Sequence, residues 1–338
     1  QSVADEKSRK WFENFWETEL DPKPGLTVVE IMQAVHAKKI KGLYVEGENP
    51  AMSDPNLNHV REALTMLDHL VVQDIFLTET AGFADVILPA SAFPEKTGTF
   101  TNSNRQVQLG RQAIDPPGES KQDWWIIQEI ARRMGLDWNY NGPSEIFAEI
   151  RQATPSMAGI TWERLEAEHS LTYPLENEGD PGEPVIFKQG FPTETGKARL
   201  VPAKFSRADE LPDEEFPLVF VTARQLEHWH TGSMTRKASV LDQLEPEPHV
   251  HLNPGDLSRL GIDSGNPVTL ESRRGSLSAF TQEDSGVPEG SVFMSFAYNE
   301  AAANLITSDA LDPFGKIAEV KYCAVRVTPG GSPEMRLG

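Results

Sequence analysis

Three polar clusters stand where apolar runs end, and they constrain the fold more than any other feature. Gly47-Glu48-Asn49-Pro50 follows Leu43-Tyr44-Val45, and Gln73-Asp74 follows Leu70-Val71-Val72. The third, Arg224 to Thr235, follows Val219-Phe220-Val221-Thr222. In open α/β sheets the crevice beyond the carboxyl ends of the strands is where ligands bind. Three such clusters predict one large, extended, polar ligand rather than a small metabolite.

The pattern around them supports strands alternating with helices. Lys41–Glu46 reads as a strand, and Val71–Leu77 and Asp85–Leu88 as two more, the last closed by Pro89. Between them Leu57–Leu70 has helical spacing, with Leu57, Val60, Leu64 and Leu67 on one face and Asp54 or Asn56 placed to cap it. Ser120-Lys121-Gln122-Asp123 opens a further helix through Met134, with Gly135 as its stop and Trp124, Ile127 and Ile130-Ala131 as its core stripe. This alternation predicts an α/β doubly wound parallel sheet. Residues about 140 to 200 read as irregular, Leu175–Pro184 as an exposed acidic loop and Glu210–Glu215 as a linker.

From about Phe216 the character changes. Phe216–Thr222, Pro267–Ser272, Ser276–Gln282, Ser291–Phe296 and Glu319–Val327 read as strands. Arg273-Arg274-Gly275 reads as a hairpin turn, and Asn253–Gly261 as a short capped helix. We expect a β-rich barrel here, hence two domains, 1–205 and 206–338.

Composition narrows the classes. The chain has 338 residues, 38% hydrophobic and 24% charged, as in a globular protein with ordinary cores. No apolar run approaches the roughly 20 residues of a membrane helix. A net charge of −20 argues against nucleic acid and anionic membranes, although local N–H groups and a few cations can still hold phosphates. The single cysteine, Cys323, excludes an internal disulfide, which fits the cytoplasm, and excludes a four-cysteine iron–sulfur cluster built from this chain alone. It lies in a strand-like run and reads as a small buried hydrophobe. No Cys/His set has zinc spacing. Gln1–Lys10 lacks the apolar core of a secretory signal, and the missing initiator Met leads us to expect a fragment or a processed chain.

Each cluster admits two readings. Gly47 lets the backbone turn sharply beside a ligand and Asn49 offers two donors and an acceptor, but the tetrapeptide is equally a plain strand-to-helix turn. Asp74 suits a guanine edge or a ribose diol, or it caps the next helix. Pro94–Arg105 is a polar, glycine-containing loop. His228 is a ligand contact or a satisfied structural histidine; Tyr298 and Trp229 are ligand contacts or core. His59, His69, His169, His249 and His251 read as structural or surface.

The order and spacing of these pieces are more specific than any one of them. Gln73–Ala81, then Ala84–Pro89, then Glu95, Gly98, Phe100-Thr101 and Asn102–Arg105 resemble the molybdopterin oxidoreductase family. Arg224–His228, Ser233-Met234-Thr235 and Lys321–Val327 resemble its formate dehydrogenase branch, and the likeness runs from about Leu43 to Val327. It corresponds to the C-terminal part of a catalytic α subunit.

The resemblance implies a bis(molybdopterin guanine dinucleotide) cofactor carrying molybdenum or tungsten, and reversible conversion of formate to carbon dioxide. It implies that a double-psi barrel caps the pterins. Gly47, Asn49, Ser53, Gln73, Asp74, Thr78 and Asp123 would surround one nucleotide. Arg224, Leu226, His228, Ser233, Tyr298, Asn304 and Lys321 would face pterins and phosphates. Arg224 would also lend positive charge to an anionic substrate. The metal's cysteine or selenocysteine ligand, its neighbouring His, the substrate-orienting Arg and the iron–sulfur cysteines would lie upstream. No residue of this chain is therefore assigned as catalytic or as a metal ligand. Partners implied are the N-terminal part of the same α subunit and iron–sulfur or flavin electron-transfer subunits, with NAD, if it takes part, reached through one of these. Two departures stand out: Asn49 where relatives often carry Asp, and Glu227 and His230 where smaller residues are expected. The rival readings are a non-catalytic scaffold subunit like the molybdopterin-fold subunit of respiratory complex I, and another oxidoreductase such as nitrate reductase.

Overall fold

The structure, a computed structural model, describes residues 2–334. Two compact units share the chain. One gathers the residues up to Gly25 with Leu88–Lys204; the other gathers Leu26–Ile87 with the chain from Phe205 onward.

The second unit begins with a parallel pair. β1 (Gly42–Glu46) lies beside β2 (His69–Asp74) in a register that sets Gly42 opposite His69 and Glu46 opposite Gln73. β3 (Val86–Pro89), within which the chain passes to the other unit, completes the order β1-β2-β3. Helices Val28–His36 and Leu57–Thr65 bury Met32, Val35, Val60 and Leu64 with Val45, Leu70 and Val72 of the strands. Two boundaries differ from expectation. The helix stops at Thr65, not Leu70, because His69 and Leu70 are drawn into the parallel ladder. β2 stops at Asp74, not Leu77, because the Asp74 carboxylate accepts the Ile75 and Phe76 amides at 2.6 and 3.2 Å, turning the chain away.

In the other unit β4 (Gly98–Thr101), β5 (Gln106–Gly110) and β6 (Ser170–Thr172) form an antiparallel sheet over a core of Val107, Phe147, Ile160, Leu165 and Leu171. The polar stretch 94–105 thus contains a strand and not only a loop. Residues 140–200 are also more regular than expected: helices Pro143–Ala153 and Trp162–Glu168 occupy them, the first with Pro at its opening turn and the second capped by Thr161. Helix Asp123–Arg133 forms as predicted, but with its stripe rotated: Ile126, Gln128 and Ala131 are buried, while Ile127 is 36% exposed.

The remainder of the second unit is a closed barrel. Its strands are β7 (Leu218–Ala223), β8 (His249–Leu252), β9 (Pro267–Glu271), β10 (Ser276–Glu283), β11 (Ser291–Ser295) and β12 (Cys323–Pro329). Around the barrel they run β10-β8-β11-β7-β12-β9, and β9 closes the ring onto β10. Pairs β10/β8 and β11/β7 are parallel and the rest antiparallel. Alternate residues fill the interior, among them Phe220, Val250, Leu252, Leu270, Met294 and Val325. Cys323 is buried among them, and its thiol donates to the Ile306 carbonyl. The Arg273-Arg274-Gly275 turn links β9 and β10 as expected. Glu210 does not behave as linker: its carboxylate takes both Nη atoms of Arg274, at 2.6 and 3.1 Å, and the Ala324 amide.

Register fixes which end of the barrel carries the site. β7 and β11 are parallel with Ala223 opposite Ser295. The segments that follow them, 224–235 and 296–304, therefore leave at the same end. β12 runs antiparallel to β7, so Lys321, just before it, lies at that end too.

Candidate functional site

Thirteen of the fourteen residues predicted to contact a ligand belong to the second unit; Asp123 belongs to the other. Gly47 follows β1 and donates its amide to the Gln73 carbonyl, with φ +61 and open space where a side chain would stand. Asn49 is buried, and its amide joins both parts: Nδ2 donates to Glu79 Oε2 (2.7 Å) and Ser233 Oγ (2.9 Å), while Oδ1 accepts the amide and hydroxyl of Thr80. A second tie runs from Asn304, whose Nδ2 donates to the carbonyls of Met52 and Ser53 at 3.1 and 2.9 Å. Gln73 is fully buried, receives the Tyr44 hydroxyl and donates to Glu46. Thr78 caps the turn Thr80–Phe83 through the Ala81 amide.

Between the turn after β2 and the loop after β7 lies a cleft of about 330 Å³, lined by Thr78, Glu79, Thr231, Gly232, Ser233 and Lys237 among others. Gly232 has φ +72, and a Cβ there would stand 2.4 Å from the Ala297 carbonyl oxygen. Only glycine lets this loop lie so close to the segment after β11. Ser233 holds the loop's other side through Asn49 and Thr231.

The cations of the site are concentrated around the same loop. Among the described residues no carboxylate pairs with Arg224, Lys321 or Lys237; Lys321 Nζ donates to the Thr222 carbonyl at 2.8 Å. Burial, then repulsion from Arg224, pulls the Lys321 ammonium below its ordinary range, and the same two causes in the same order lower the His230 imidazole. Glu48 partly offsets this at His230, which places the end of β1 within electrostatic reach of the barrel loop. In a chain of net charge −20, a bound anion here would relieve that repulsion.

Comparison with known proteins agrees with that geometry. Residues 7–133 match the molybdopterin oxidoreductase family, and residues 218–324 match the molybdopterin dinucleotide binding domain. The chain belongs to the molybdopterin oxidoreductase family. It is 44% identical over 95% of its length to the F420-dependent formate dehydrogenase subunit alpha of Methanocaldococcus jannaschii, covering 48% of that protein. It is 42% identical over 93% of its length to F420-dependent formate dehydrogenase 2 subunit alpha of Methanococcus maripaludis, covering 47%. The chain thus spans about half the length of these relatives. In fold it resembles the acetylene hydratase of Pelobacter acetylenicus, with a TM-score of 0.75 at 20% identity, over 97% of this chain and 50% of that one.

The residues present fit a molybdopterin dinucleotide. The phosphates would find Arg224, Lys321 and Lys237 without carboxylate partners among the described residues. His228 supplies a further sign. Its Nε2 lies 2.8 Å from the Glu245 carbonyl, which only accepts, so Nε2 carries the proton. The other ring nitrogen, Nδ1, is buried with no partner among the described residues, an acceptor that an N–H of a flat heterocycle would satisfy. Tyr298 stands edge-on to His228 at 5.6 Å, fully buried, its hydroxyl donating to Gln225 and to the same Glu245 carbonyl. Burial pushes that phenol up to about 12, so it stays a neutral donor.

Other predicted residues sit differently. Asp123 belongs to the other unit, at the first turn of its helix, ion-paired with Lys96. Leu226 is 96% exposed and Trp229 65%, so Trp229 is not core. Asp74 accepts two backbone amides as a turn former, and Ser53 donates to Asp54. Sequence reasoning missed Glu79, Thr80 and Arg236. Glu79 and Thr80 stood inside a recognised run, but nothing local pairs position 49 with 79. Arg236 carries no sequence sign of burial, since arginine in a polar loop is ordinarily solvated. Among the described residues no group of three or more His, Cys, Asp or Glu is arranged to hold a metal, and no helix is long and apolar enough to cross a membrane.

Proposed function

We propose that this chain is the cofactor-holding part of a formate dehydrogenase α subunit. The observation that carries the proposal is 44% identity, over 95% of the chain, to a protein of that name. The ligand is bis(molybdopterin guanine dinucleotide) with molybdenum or tungsten, and the reaction is oxidation of formate to carbon dioxide and its reverse. When bound, the cofactor supplies the two-electron redox chemistry. This chain's residues bind and orient it. By sequence we assign 1–205 to the nucleotide-binding α/β domain and 206–338 to the domain whose barrel caps the pterins, a division that runs across the two compact units.

Gln73, Asp74, Thr78, Gly47 and Ser53 serve one nucleotide end, with Asn49 holding the wall. Arg224 forks onto phosphate oxygens and Lys321 adds a point charge, as their geometries favour. His228 and Tyr298 present fixed polar groups, Asn304 holds the wall through Met52 and Ser53, and Ser233 and Leu226 complete the pterin-facing edge. The Thr231-Gly232-Ser233 backbone closes against the ligand and keeps water out. Surplus charge from Arg224 favours approach of formate, itself an anion. The metal ligand and the iron–sulfur cysteines belong to the rest of the polypeptide, and electrons leave through iron–sulfur or flavin subunits in the cytoplasm. F420, for which the archaeal relatives are named, is the first acceptor to test, with NAD beside it.

The test is made on the intact enzyme. Metal analysis, fluorescence of the released oxidised pterin, and formate-dependent dye reduction should all be positive. Nitrate reduction without formate oxidation would overturn the substrate, and a fully assembled enzyme free of pterin would overturn the cofactor and favour a scaffold.

A further inference from the structure

We propose that Arg236 is the positioning residue that fixes the pterin-facing wall, setting Tyr298, His228 and the Thr231–Ser233 turn in place through one buried guanidinium. The proposal rests on the reading of the cleft as a pterin dinucleotide site. Arg236 is the middle residue of the short turn Thr235–Lys237, directly after the ligand loop, and is buried. Its Nε lies 2.7 Å from Asp242 of helix Ser239–Leu244, and its Nη2 donates to Glu300 at 2.7 Å. Its guanidinium plane covers the Tyr298 ring, with Cζ 4.5 Å from the ring centre. Its amide donates to the Gly232 carbonyl, and its Cγ would lie 2.5 Å from a Cβ at Gly232.

Four pieces of chain therefore meet on one side chain: the ligand loop, helix Ser239–Leu244, Tyr298 and Glu300. From Tyr298 the arrangement passes on to His228, since the Tyr298 hydroxyl and His228 Nε2 share the Glu245 carbonyl. Two carboxylates more than neutralise Arg236, so it is not the cation that attracts phosphate. Arg224, Lys321 and Lys237 keep that task. What Arg236 offers instead is shape: a planar fork that grips two carboxylates and stacks on an aromatic ring at once, which a lysine cannot reproduce.

The experiment uses the intact enzyme carrying Arg236→Met, which keeps the stem and removes the fork, and Arg236→Lys, which keeps the charge. Arg274→Met serves as the control, because it breaks a comparable guanidinium–carboxylate pair, with Glu210, in the turn between β9 and β10. Pterin per chain is measured after gel filtration, together with the visible circular dichroism of the bound cofactor. We expect Arg236→Met to retain at least tenfold less pterin, with a changed dichroism spectrum of what remains, and Arg236→Lys to recover part of the retention. Arg274→Met should lower the unfolding midpoint and leave pterin and spectrum unchanged. Wild-type retention and spectrum in Arg236→Met overturn the proposal. If that variant does not accumulate in folded form, wild-type values in Arg236→Lys overturn it equally. A wild-type enzyme without pterin would sink the cofactor reading itself, whereas loaded wild type beside loaded, spectrally unchanged variants sinks only the role of Arg236.

Discussion

Asn49 donates to Ser233 Oγ across 2.9 Å although 184 residues separate them along the chain. The same nitrogen donates to Glu79, and the amide oxygen accepts twice from Thr80. One primary amide thus fastens the end of β1, the turn after β2 and the loop after β7. Only an amide meets all three demands, because two partners need donors and the third needs an acceptor. The relationship gives Asn49 a structural reason of its own. Here the neighbouring carboxylate of Glu79 requires a donor opposite it.

Asn49→Asp should therefore weaken this unit. It removes both donors and sets a second carboxylate beside Glu79 in a buried position, a loss of about 1–3 kcal/mol. Repulsion and burial would raise the new carboxyl's pKa, so the loss should be larger at pH 8 than at pH 5. Thermal unfolding at the two pH values tests this. Equal midpoints for variant and wild type at pH 8 would show that the knot contributes nothing.

Two glycines with left-handed backbones separate strain from crowding. Gly47 has φ +61 and open space around a prospective Cβ, whereas Gly232 has φ +72 and a carbonyl oxygen 2.4 Å away. Gly47→Ala should cost about 1–2 kcal/mol from the backbone alone. Gly232→Ala should cost distinctly more and should also displace the 231–233 loop, lowering pterin retention. The measurement is a paired denaturant titration with a pterin assay on each variant. A Gly232→Ala enzyme no less stable than Gly47→Ala would contradict the close contact.

Much of this was legible in the residues. The apolar alternation in 219–222, 267–272, 276–282 and 291–296 gave away the barrel strands, since a closed barrel must bury every second side chain. The polar clusters after β1, β2 and β7 were legible as the places where those strands end. What could not be read were the long-range partners. Nothing at positions 49, 79 and 233 announces a shared amide, and nothing near Arg236 announces Glu300 or Asp242. The rotated stripe of helix Asp123–Arg133 has a similar cause: Trp124, Ile126 and Ile127 offer two overlapping apolar faces, and only packing chooses between them.

Cys323 should be chemically silent in the folded protein. It is buried in the barrel, its thiol donates to the Ile306 carbonyl, and burial pushes its pKa up to about 11. Alkylation needs thiolate and access, and both are denied here. Iodoacetamide at pH 8 should leave the native chain unmodified and label it once after unfolding in denaturant, as read by intact mass. Labelling of the native chain on the timescale of a free thiol would show that the barrel opens readily.

Asp54 should make the unit less stable as pH rises through the weakly acid range. Its Oδ2 is buried without a partner among the described residues, while Oδ1 receives only the Ser53 hydroxyl. Burial is the main cause that lifts its carboxyl from the ordinary 3.8 to about 6, with Glu48 adding to the rise. The folded state therefore binds the proton more tightly than the unfolded chain. The stability this contributes is present below about pH 4 and is lost between there and about pH 6. Once the group is ionised in both states the loss is on the order of 3 kcal/mol. Asp54→Asn keeps an acceptor for Ser53 and removes the titration. Cofactor-free variant and wild type should then unfold alike near pH 4, and the variant should be the more stable at pH 7.5. Parallel midpoints across the whole range would mean that Asp54 finds a compensating partner and does not titrate as its burial demands.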